Sequence, residues 1–592
     1  MARYAVGIDL GTTHCVLSYL DLQVPETERE LQTFEIPQLI APGNVAALPL
    51  LPSFLYLPHE QELATGDLQL PWAADPKEIV GSLARQLGSK TPGRLVSSAK
   101  SWLSHGLQDA REAFLPLEAP EELERVSPWQ ASVRYLGHLR DAWNAAFADE
   151  PLEQQLVTIT VPASFDPAAR DLTVEAAQSL GLADITLLEE PQAAFYAWLA
   201  RQGTEWREQL QVGDVLLVVD VGGGTSDFSL ISVTEEEGGL SLQRVAVGDH
   251  ILLGGDNMDL ALAYGVRAKL LEQGKQLDQW QIMALAHGCR DAKERMLADD
   301  SLDEVPLVVP SRGSSLIGGS LRTELTREEL TRILLDGFFP VVDADAQPQQ
   351  RLRAALTTRS LPYAQDAAIT RHLAAFLARQ EAEVSRPNRL LLNGGVFKAE
   401  VLVQRLQSCL DQWLGGAGGE SVQMLTGADL DLAVSRGAAS YGAIRAEGGI
   451  RVKAGLANCY YVGIESSMPA VPGFEPPLLA LCVAPFGMEE GESIQLAEQA
   501  FGVVLGEPAH FRFFSSATRR DSAGALLENW GDELQELEPI EVKLEPTGQA
   551  RAGHVEQVAL EARVTETGTL RLAAISQRSG QRWDVEFSVR QR

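Results

Sequence analysis

The sequence predicts layered α/β domains followed by a separate all-β module, on three observations. Strand-like and helix-like segments alternate up to about residue 446. From about 460 onward no long amphipathic helix follows. Two stretches some 210 residues apart, "YAVGIDLGTTHCVLSYL" and "LLVVDVGGGTSDFSLISV", repeat one strand–turn–strand design around an aspartate. Alternation of the first kind is the signature of layered α/β architecture.

Taken in order, "QLVTITVP" reads as a strand and "DPAARDLTVEAAQSLG" as the helix after it, with Asp166 as N-cap, Pro167 at the first helical position and Gly181 at the stop. "TREEL" places Thr326 and Glu329 at capping-box spacing. The strand "RLLLNGG" leads into the helix "AEVLVQRLQSCLDQWL". Beyond 460, "WDVEFSV" sets Trp583, Val585, Phe587 and Val589 at every second position, "IEVKLE" alternates as well, and "TETGT" and "RSGQ" read as hairpin turns. The stretch 447–459, "EGGIRVKAGLANC", reads as a linker.

With 592 residues the chain exceeds one core, and two to four domains are expected. A formal net charge of −32 repels phosphate backbones and anionic lipid, so no nucleic acid and no membrane is expected as partner. Cys15, Cys289, Cys409, Cys459 and Cys482 are scattered, without the close Cys/His spacing of a zinc site or a disulfide framework, which fits a reducing, cytoplasmic setting. Asp9 interrupts the N-terminal apolar run, so no signal peptide is expected; the run near 478–488 is too short to span a bilayer and contains Pro485.

In each repeated stretch an apolar strand ends in an aspartate, Asp9 or Asp220, and a small-residue turn carrying threonine follows. Glycines let the backbone approach a ligand and aim successive N–H groups at an anion. A carboxylate beside a phosphate is repulsive unless a cation lies between them, and Mg²⁺ held by one or two carboxylates, waters and phosphate oxygens is the usual solution. Either stretch alone reads as an ordinary Gly-rich hairpin. The pair reads as the two halves of one phosphate clamp. Neither is a P-loop or a dinucleotide fingerprint, since no Gly-Lys-Ser/Thr and no helix follows the glycines.

Six segments in order, "GIDLGTTH", "VPASFDPAAR", "LLEEPQAAFYAW", "VVDVGGGTSDFSL", "LLGGDNMD" and "LLLNGGVFK", resemble the signature segments of the heat-shock-70 (DnaK-like) chaperones, whose ATPase domain shares the actin and sugar-kinase fold. The resemblance covers residues 4 to about 445, and the β-module loosely, mainly through "GTLRLAAISQRSGQRWDVEF". It implies a two-lobed actin-like ATPase domain over 1–446, a linker over 447–459 and a β-sandwich substrate-binding-like domain over 460–592.

It also implies roles. Asp9 and Asp220 would hold Mg²⁺ through water, with Glu190 the carboxylate near the metal. Gly11, Thr12 and Thr13 would line one phosphate turn, and Gly222, Gly223, Gly224 and Thr225 the other. Lys100 stands where the family keeps a lysine beside the γ-phosphate and attacking water, although an ordinary surface lysine is the alternative. Gly254, Gly255, Gly394, Gly395 and Asp431 correspond to backbone-approach positions around ribose and base, and Lys293 to the lysine on the helix covering adenine. Asp227 reads equally as a structural or a catalytic residue. Pro162 and Arg170 correspond to a proline and arginine implicated in signalling between lobe and module, or else form a helix entry and a surface arginine. The sequence departs from the family at Arg290, Leu297, Lys398 and His14, where a glutamate, a serine, a base-stacking arginine and an aromatic are usual. His14 reads as a filler of the aromatic's space, with a proton donor as the alternative.

The implied function is slow, Mg²⁺-dependent ATP hydrolysis, with ATP/ADP as cofactor, coupled to weak binding of unfolded or extended polypeptide clients. A sugar-type small-molecule kinase and an actin-like filament protein are the alternatives on the same fold. The chain stops at Arg592 directly after a strand, where the family continues into a helical lid, so fast peptide exchange is expected, with co-chaperones or a partner supplying the lid.

Overall fold

The computed structural model describes residues 2–74, 76–104, 109–203, 205–236, 239–249, 251–309, 321–349, 363–380, 386–415, 421–427, 429–448, 452–453, 456, 458–465, 478–488, 492–506, 508–516, 519–528, 530, 533–537, 540–543, 555–565 and 569–588. They divide into two compact units, Met1–Arg451 and Val452–Arg592.

The first unit opens on an antiparallel hairpin of β1 (Tyr4–Leu10) and β2 (His14–Asp21). Helices α1 (Ala99–Leu103) and α2 (Pro128–Ala146) precede β3 (Leu156–Val161), which runs parallel to β1. Helix α3 (Pro167–Gln178) returns the chain to β4 (Ile185–Glu189), parallel to β3, and α4 (Glu190–Gln202) follows directly. The second sheet starts with another hairpin, β5 (Val215–Val221) and β6 (Ser226–Glu236), extended by antiparallel β7 (Gly239–Val247). After α5 (Gly255–Glu272) and α6 (Gln279–Ala298), β8 (Arg389–Asn393) lies parallel to β5. The unit closes with α7 (Glu400–Leu414), β9 (Gln423–Met424) beside β8, and α8 (Ala433–Glu447).

The two sheets share one strand order. The first runs β4-β3-β1-β2 and then Gln32–Thr33; the second runs β9-β8-β5-β6-β7. In both, a hairpin sits centrally and parallel strands flank its first member. Asp9 pairs with Val16 across its hairpin and with Thr160 on the parallel strand, and Asp220 pairs with Asp227 and Asn393. The two aspartates therefore occupy the same slot at the carboxyl ends of central strands, where open α/β sheets bind ligands. All seven residues of β5 are buried, which explains its unbroken apolar reading.

Local signals set the helix starts. Asp166 accepts from the Ala169 N–H, with proline at the first helical turn, and Ser127, Asp278 and Thr326 each close a capping box. Each lobe has its own core, one around Val6, Ile8, Leu17, Leu136 and Trp143, the other around Val219, Phe228, Leu262 and Leu390.

On α2, His138 is buried, its Nε2 meets the Pro37 carbonyl at 2.9 Å, and burial holds its pKa down at about 4. The unfolded chain takes up this proton below about 6.5 and the folded chain only near 4. Its contribution to stability is therefore full above about 6.5 and falls as the pH drops through that window, by roughly 3 kcal/mol in all. Thermal unfolding at neutral pH and near pH 5 should show His138→Gln losing less on acidification than wild type; equal losses would show that His138 does not titrate in this way.

The second unit contains only strands among its described residues. They include β10 (Cys459–Glu465), β11 (Leu478–Ala484), β12 (Ser493–Val504), β13 (Phe513–Ser516), β14 (Val555–Val564), β15 (Thr569–Ser576) and β16 (Arg582–Ser588). One sheet orders Leu526–Leu527, β11, β10, β13 and Gln535–Glu536; the other orders β12, β14, β15 and β16. Tyr460, Val462, Leu481 and Phe513 of the first share a core with Val558, Leu560, Leu570 and Leu572 of the second, which makes a sandwich. Trp583–Ser588 of "WDVEFSV" lie in β16, "IEVKLE" contains the strand Ile540–Lys543, and "RSGQ" turns between β15 and β16. Within "TETGT", residues 566–568 lie outside the described residues, as do Val589 and Ile450. Across the stretch read as linker, α8 runs through Glu447, Val452–Lys453 form a short strand, and β10 begins at Cys459. Among the described residues no helix is long and apolar enough to cross a membrane.

Candidate active site

The two hairpin turns border one cavity of about 420 Å³. Gly11, Thr12 and Thr13 come from the first turn; Gly222, Gly223 and Thr225 come from the second. A Cβ on Gly223 would stand 1.9 Å from Thr13 Oγ1, so the turns are in contact and only a glycine admits this approach. Gly224 and Gly254 do not border the cavity. Gly224 backs onto Thr12 and Ser101, and Gly254 lies behind the second turn against the Gly222 and Gly223 carbonyls. The Gly255 and Asp256 N–H groups donate to Gly222 O at 3.0 Å and Gly223 O at 2.8 Å, which ties this turn to the start of α5.

Asp9, Glu190 and Asp220 border the same cavity, with Lys100 among them. Lys100 is buried on α1 and pairs with Glu190, the first residue of α4. Burial lowers its pKa, but the charges of Glu190 and Asp9 outweigh burial and hold it above the ordinary lysine value. Burial pushes Asp9 up to about 7; the Glu190 charge adds to this, and Lys100 opposes it. Burial likewise raises Glu190, against the pull of Lys100. Asp220 is raised well above the carboxylate range, first by burial and then by Glu190, although Asn393 Nδ2 donates to its Oδ2 at 2.8 Å. Asp227, opposite Asp220 in the hairpin, is buried and accepts a bond from Ser164. One lysine thus stands against a surplus of buried carboxylates, and a further cation would relieve it.

The cavity is also lined by α5, α6 and the β8–α7 turn. Arg290 Nε pairs with Asp259 Oδ2 at 2.6 Å and its guanidinium also meets Asp256. Lys293 Nζ lies 2.7 Å from Asp259 Oδ1, and Lys398 Nζ 2.6 Å from Asp431 Oδ2. Gly255, Gly394, Gly395, Leu297 and Asp431 all border the cavity. Gly394 has φ +90°, and a Cβ there would meet Val221 O at 2.2 Å and Asp220 Oδ1 at 2.8 Å, so it brings the turn after β8 onto the strand of Asp220. His14, at the start of β2, is held down at about 3 by burial and by Arg85, Arg290 and Lys398. These influences favour its neutral form.

Residues 5–344 match the family model described as Hsp70 protein. The chain belongs to the Hsp70 family. Among curated relatives, the "Chaperone protein HscA homolog" of Variovorax paradoxus (strain S110) is 29% identical over 412 residues, which cover 68% of this chain and 58% of the relative. The homologue so named in Bordetella petrii is 30% identical over 302 residues, 49% of this chain and 41% of the relative. "Chaperone protein HscA" of Enterobacter sp. (strain 638) is 28% identical over 414 residues, 68% and 58%. The chain thus spans about half the length of the Hsp70 relatives it matches.

Several residues that shape this Hsp70 site were not singled out in the sequence. Asp256 and Asp259 stand within "LLGGDNMD" at the first turn of α5, three apart and so on one face, and this spacing was the available signal. Ser98 Oγ donates to Asp256 Oδ2 at 2.6 Å across the cleft, from a backbone at φ +53°. Glu189, directly before Glu190, is buried and pairs with Arg170 at 2.6 Å and with Arg244 of β7. Arg170 is buried rather than on the surface. A run of two glutamates gave no hint that the first would accept two arginines from opposite lobes.

Proposed function

We propose that this Hsp70-family chain is an ATP-dependent chaperone-like protein, which hydrolyses ATP in the cavity between its lobes and couples this to polypeptide binding by its β-unit. The surplus of buried carboxylates around Lys100, between two phosphate-turn hairpins, carries the reading. The names of the matched relatives, chaperone proteins, agree with it.

Bound between these groups, Mg²⁺ would neutralise phosphate charge. The donor set fits such a hydrated ion. Asp9, Glu190 and Asp220 supply acceptors, and Asn393 Oδ1 is buried without a hydrogen-bond partner among the described residues. Among those residues no three His, Cys, Asp or Glu side chains form a set that could hold a metal by themselves, so the carboxylates would act through water. Gly11–Thr13 and Gly222, Gly223 and Thr225 position the phosphates. Water is the nucleophile, and Asp220, Asp9 or both orient it. Lys100 offsets charge developing on the γ-phosphoryl group as the bond to the leaving oxygen breaks. Lys293 and Asp431 hold the nucleoside end. Unfolded or extended polypeptides are the proposed clients, with co-chaperones as further partners, in the cytoplasm.

ATP turnover by the full chain, with and without an unfolded polypeptide, tests this. Turnover that the polypeptide accelerates is expected; sugar phosphorylation or nucleotide-driven sedimentation instead would point to the kinase or filament classes. Lys100→Ala should slow single-turnover hydrolysis by about 10²-fold while nucleotide binding survives, because a charge beside the attacking water acts mainly in the transition state. An unchanged single-turnover rate would remove Lys100 from the chemistry.

A further inference from the structure

The β-unit holds a pair of thiols that the ATPase reading leaves unused. Cys459 opens β10, and Cys482 lies on the neighbouring antiparallel strand β11, opposite Tyr461. Cys459 and Tyr461 are two residues apart and so share a face, which makes the cysteines diagonal neighbours on one side of the sheet. Both are free thiols buried in one small cluster with Tyr461, Phe514 and Leu534. Their sulfurs gather around one backbone oxygen: Cys482 Sγ lies 3.6 Å and Cys459 Sγ 3.9 Å from Asp521 O. Cys459 Sγ also lies 3.2 Å from Arg519 O and accepts from the Phe486 N–H at 3.2 Å.

We propose that Cys459 and Cys482 are a peroxide-oxidisable dithiol that closes to an intramolecular disulfide and so releases the loop Arg519–Gly524. The two members are chemically unequal. Cys459 Sγ accepts the Phe486 N–H, which favours negative charge on that sulfur, whereas its neighbour Cys459 and burial raise the Cys482 thiol. Cys459 is therefore assigned as the attacking thiolate and Cys482 as the resolving thiol. The Cys459 sulfur attacks one peroxide oxygen, the O–O bond breaks, hydroxide leaves, and sulfenic acid forms. The Cys482 sulfur then attacks that sulfur, the S–O bond breaks, and water leaves with the Cys482 proton. Two thiols are oxidised and one hydroperoxide is reduced. The loop Arg519–Gly524 lies against the pair through the Arg519 and Asp521 carbonyls, with Arg520 and Ser522 exposed upon it. The disulfide carries no S–H, so bonds from the thiols to the Arg519 and Asp521 carbonyls are lost. Arg519 to Asp521 at 2.6 Å, Tyr461 to Asp521 at 2.7 Å and the Gly524 N–H to Cys482 O bond would then be left to hold the loop.

The test treats the reduced full-length chain with hydrogen peroxide, alkylates it under denaturing conditions and maps peptides without reduction. A mass lower by two hydrogens is expected, with the Cys459 and Cys482 peptides linked, a thiol reductant reversing the link, and Cys15, Cys289 and Cys409 still alkylated. Amide exchange at Gly524, whose N–H donates to Cys482 O at 2.8 Å, should quicken in the oxidised form. Cys482→Ala should stop at sulfenic acid on Cys459, trapped by dimedone. Full alkylation of Cys459 and Cys482 after peroxide, or overoxidation of either without a linked peptide, would overturn the proposal; the wild-type measurement stands even if a variant fails to fold.

Discussion

Asp220→Asn is expected to reduce ATP turnover by about 10²–10³-fold, the cost of roughly 3–4 kcal/mol for one well-placed electrostatic group. The argument rests on what its environment does to the carboxyl. Without a cation, burial and Glu190 raise its pKa well above normal, so the ligand-free protein tolerates a neutral group there. Asparagine is such a group, and its oxygen can keep the 2.8 Å bond from Asn393 Nδ2. The ligand-free fold should therefore be as stable as wild type. With Mg²⁺ and ATP bound, the position is required to be anionic, and asparagine cannot be. The signature is lost turnover and lost Mg²⁺-dependent nucleotide stabilisation in a protein whose ligand-free melting is unchanged. Thr225→Val, which keeps the side-chain shape in the same turn and removes the hydroxyl, should lower turnover in the same direction. Wild-type-like hydrolysis in both variants would place the phosphates elsewhere.

Glu189→Ala is expected to destabilise the N-terminal unit by about 3–5 kcal/mol, the range for removing one partner of a buried ionic cluster. Arg170 and Glu189 are almost inaccessible, and Arg244 reaches the same carboxylate from the other sheet. Removing the carboxylate takes from the buried Arg170 and the half-buried Arg244 the acceptor they share. Removing an arginine as well should recover part of the loss, since residues in one network couple strongly. Urea unfolding of the full chain, followed through the transition of the N-terminal unit, measures both. A loss below about 1 kcal/mol, the size of an exposed pair, would mean that the cluster is solvated in solution.

The two hairpin turns that border the cavity were legible in the sequence because their residues are local. Asp9 with Gly11–Thr13, and Asp220 with Gly222–Thr225, each sit within one hairpin, and strand periodicity with small-residue turns exposes them. The sandwich was legible for a similar reason, as the strict alternation of burial along β14 shows. The groups that complete the site come from segments far apart in the chain. Lys100 meets Glu190 over ninety positions, Ser98 meets Asp256 over 158, and Arg244 meets Glu189 over 55. No local period encodes such pairs. For the same reason Arg170 could be read as a surface residue, and the shared strand order of the two sheets emerges only once β3 and β8 are seen to lie parallel to their hairpins.

The most direct test of the central claim is phosphate release from ATP by the purified full-length chain, measured under single-turnover conditions with magnesium and again after chelation. Slow hydrolysis with magnesium, abolished by the chelator and strongly reduced in Asp220→Asn, is the result predicted by two facing hairpins that share one hydrated ion. Hydrolysis that persists without magnesium, or a wild-type chain that neither binds nor cleaves ATP when magnesium is present, would contradict it.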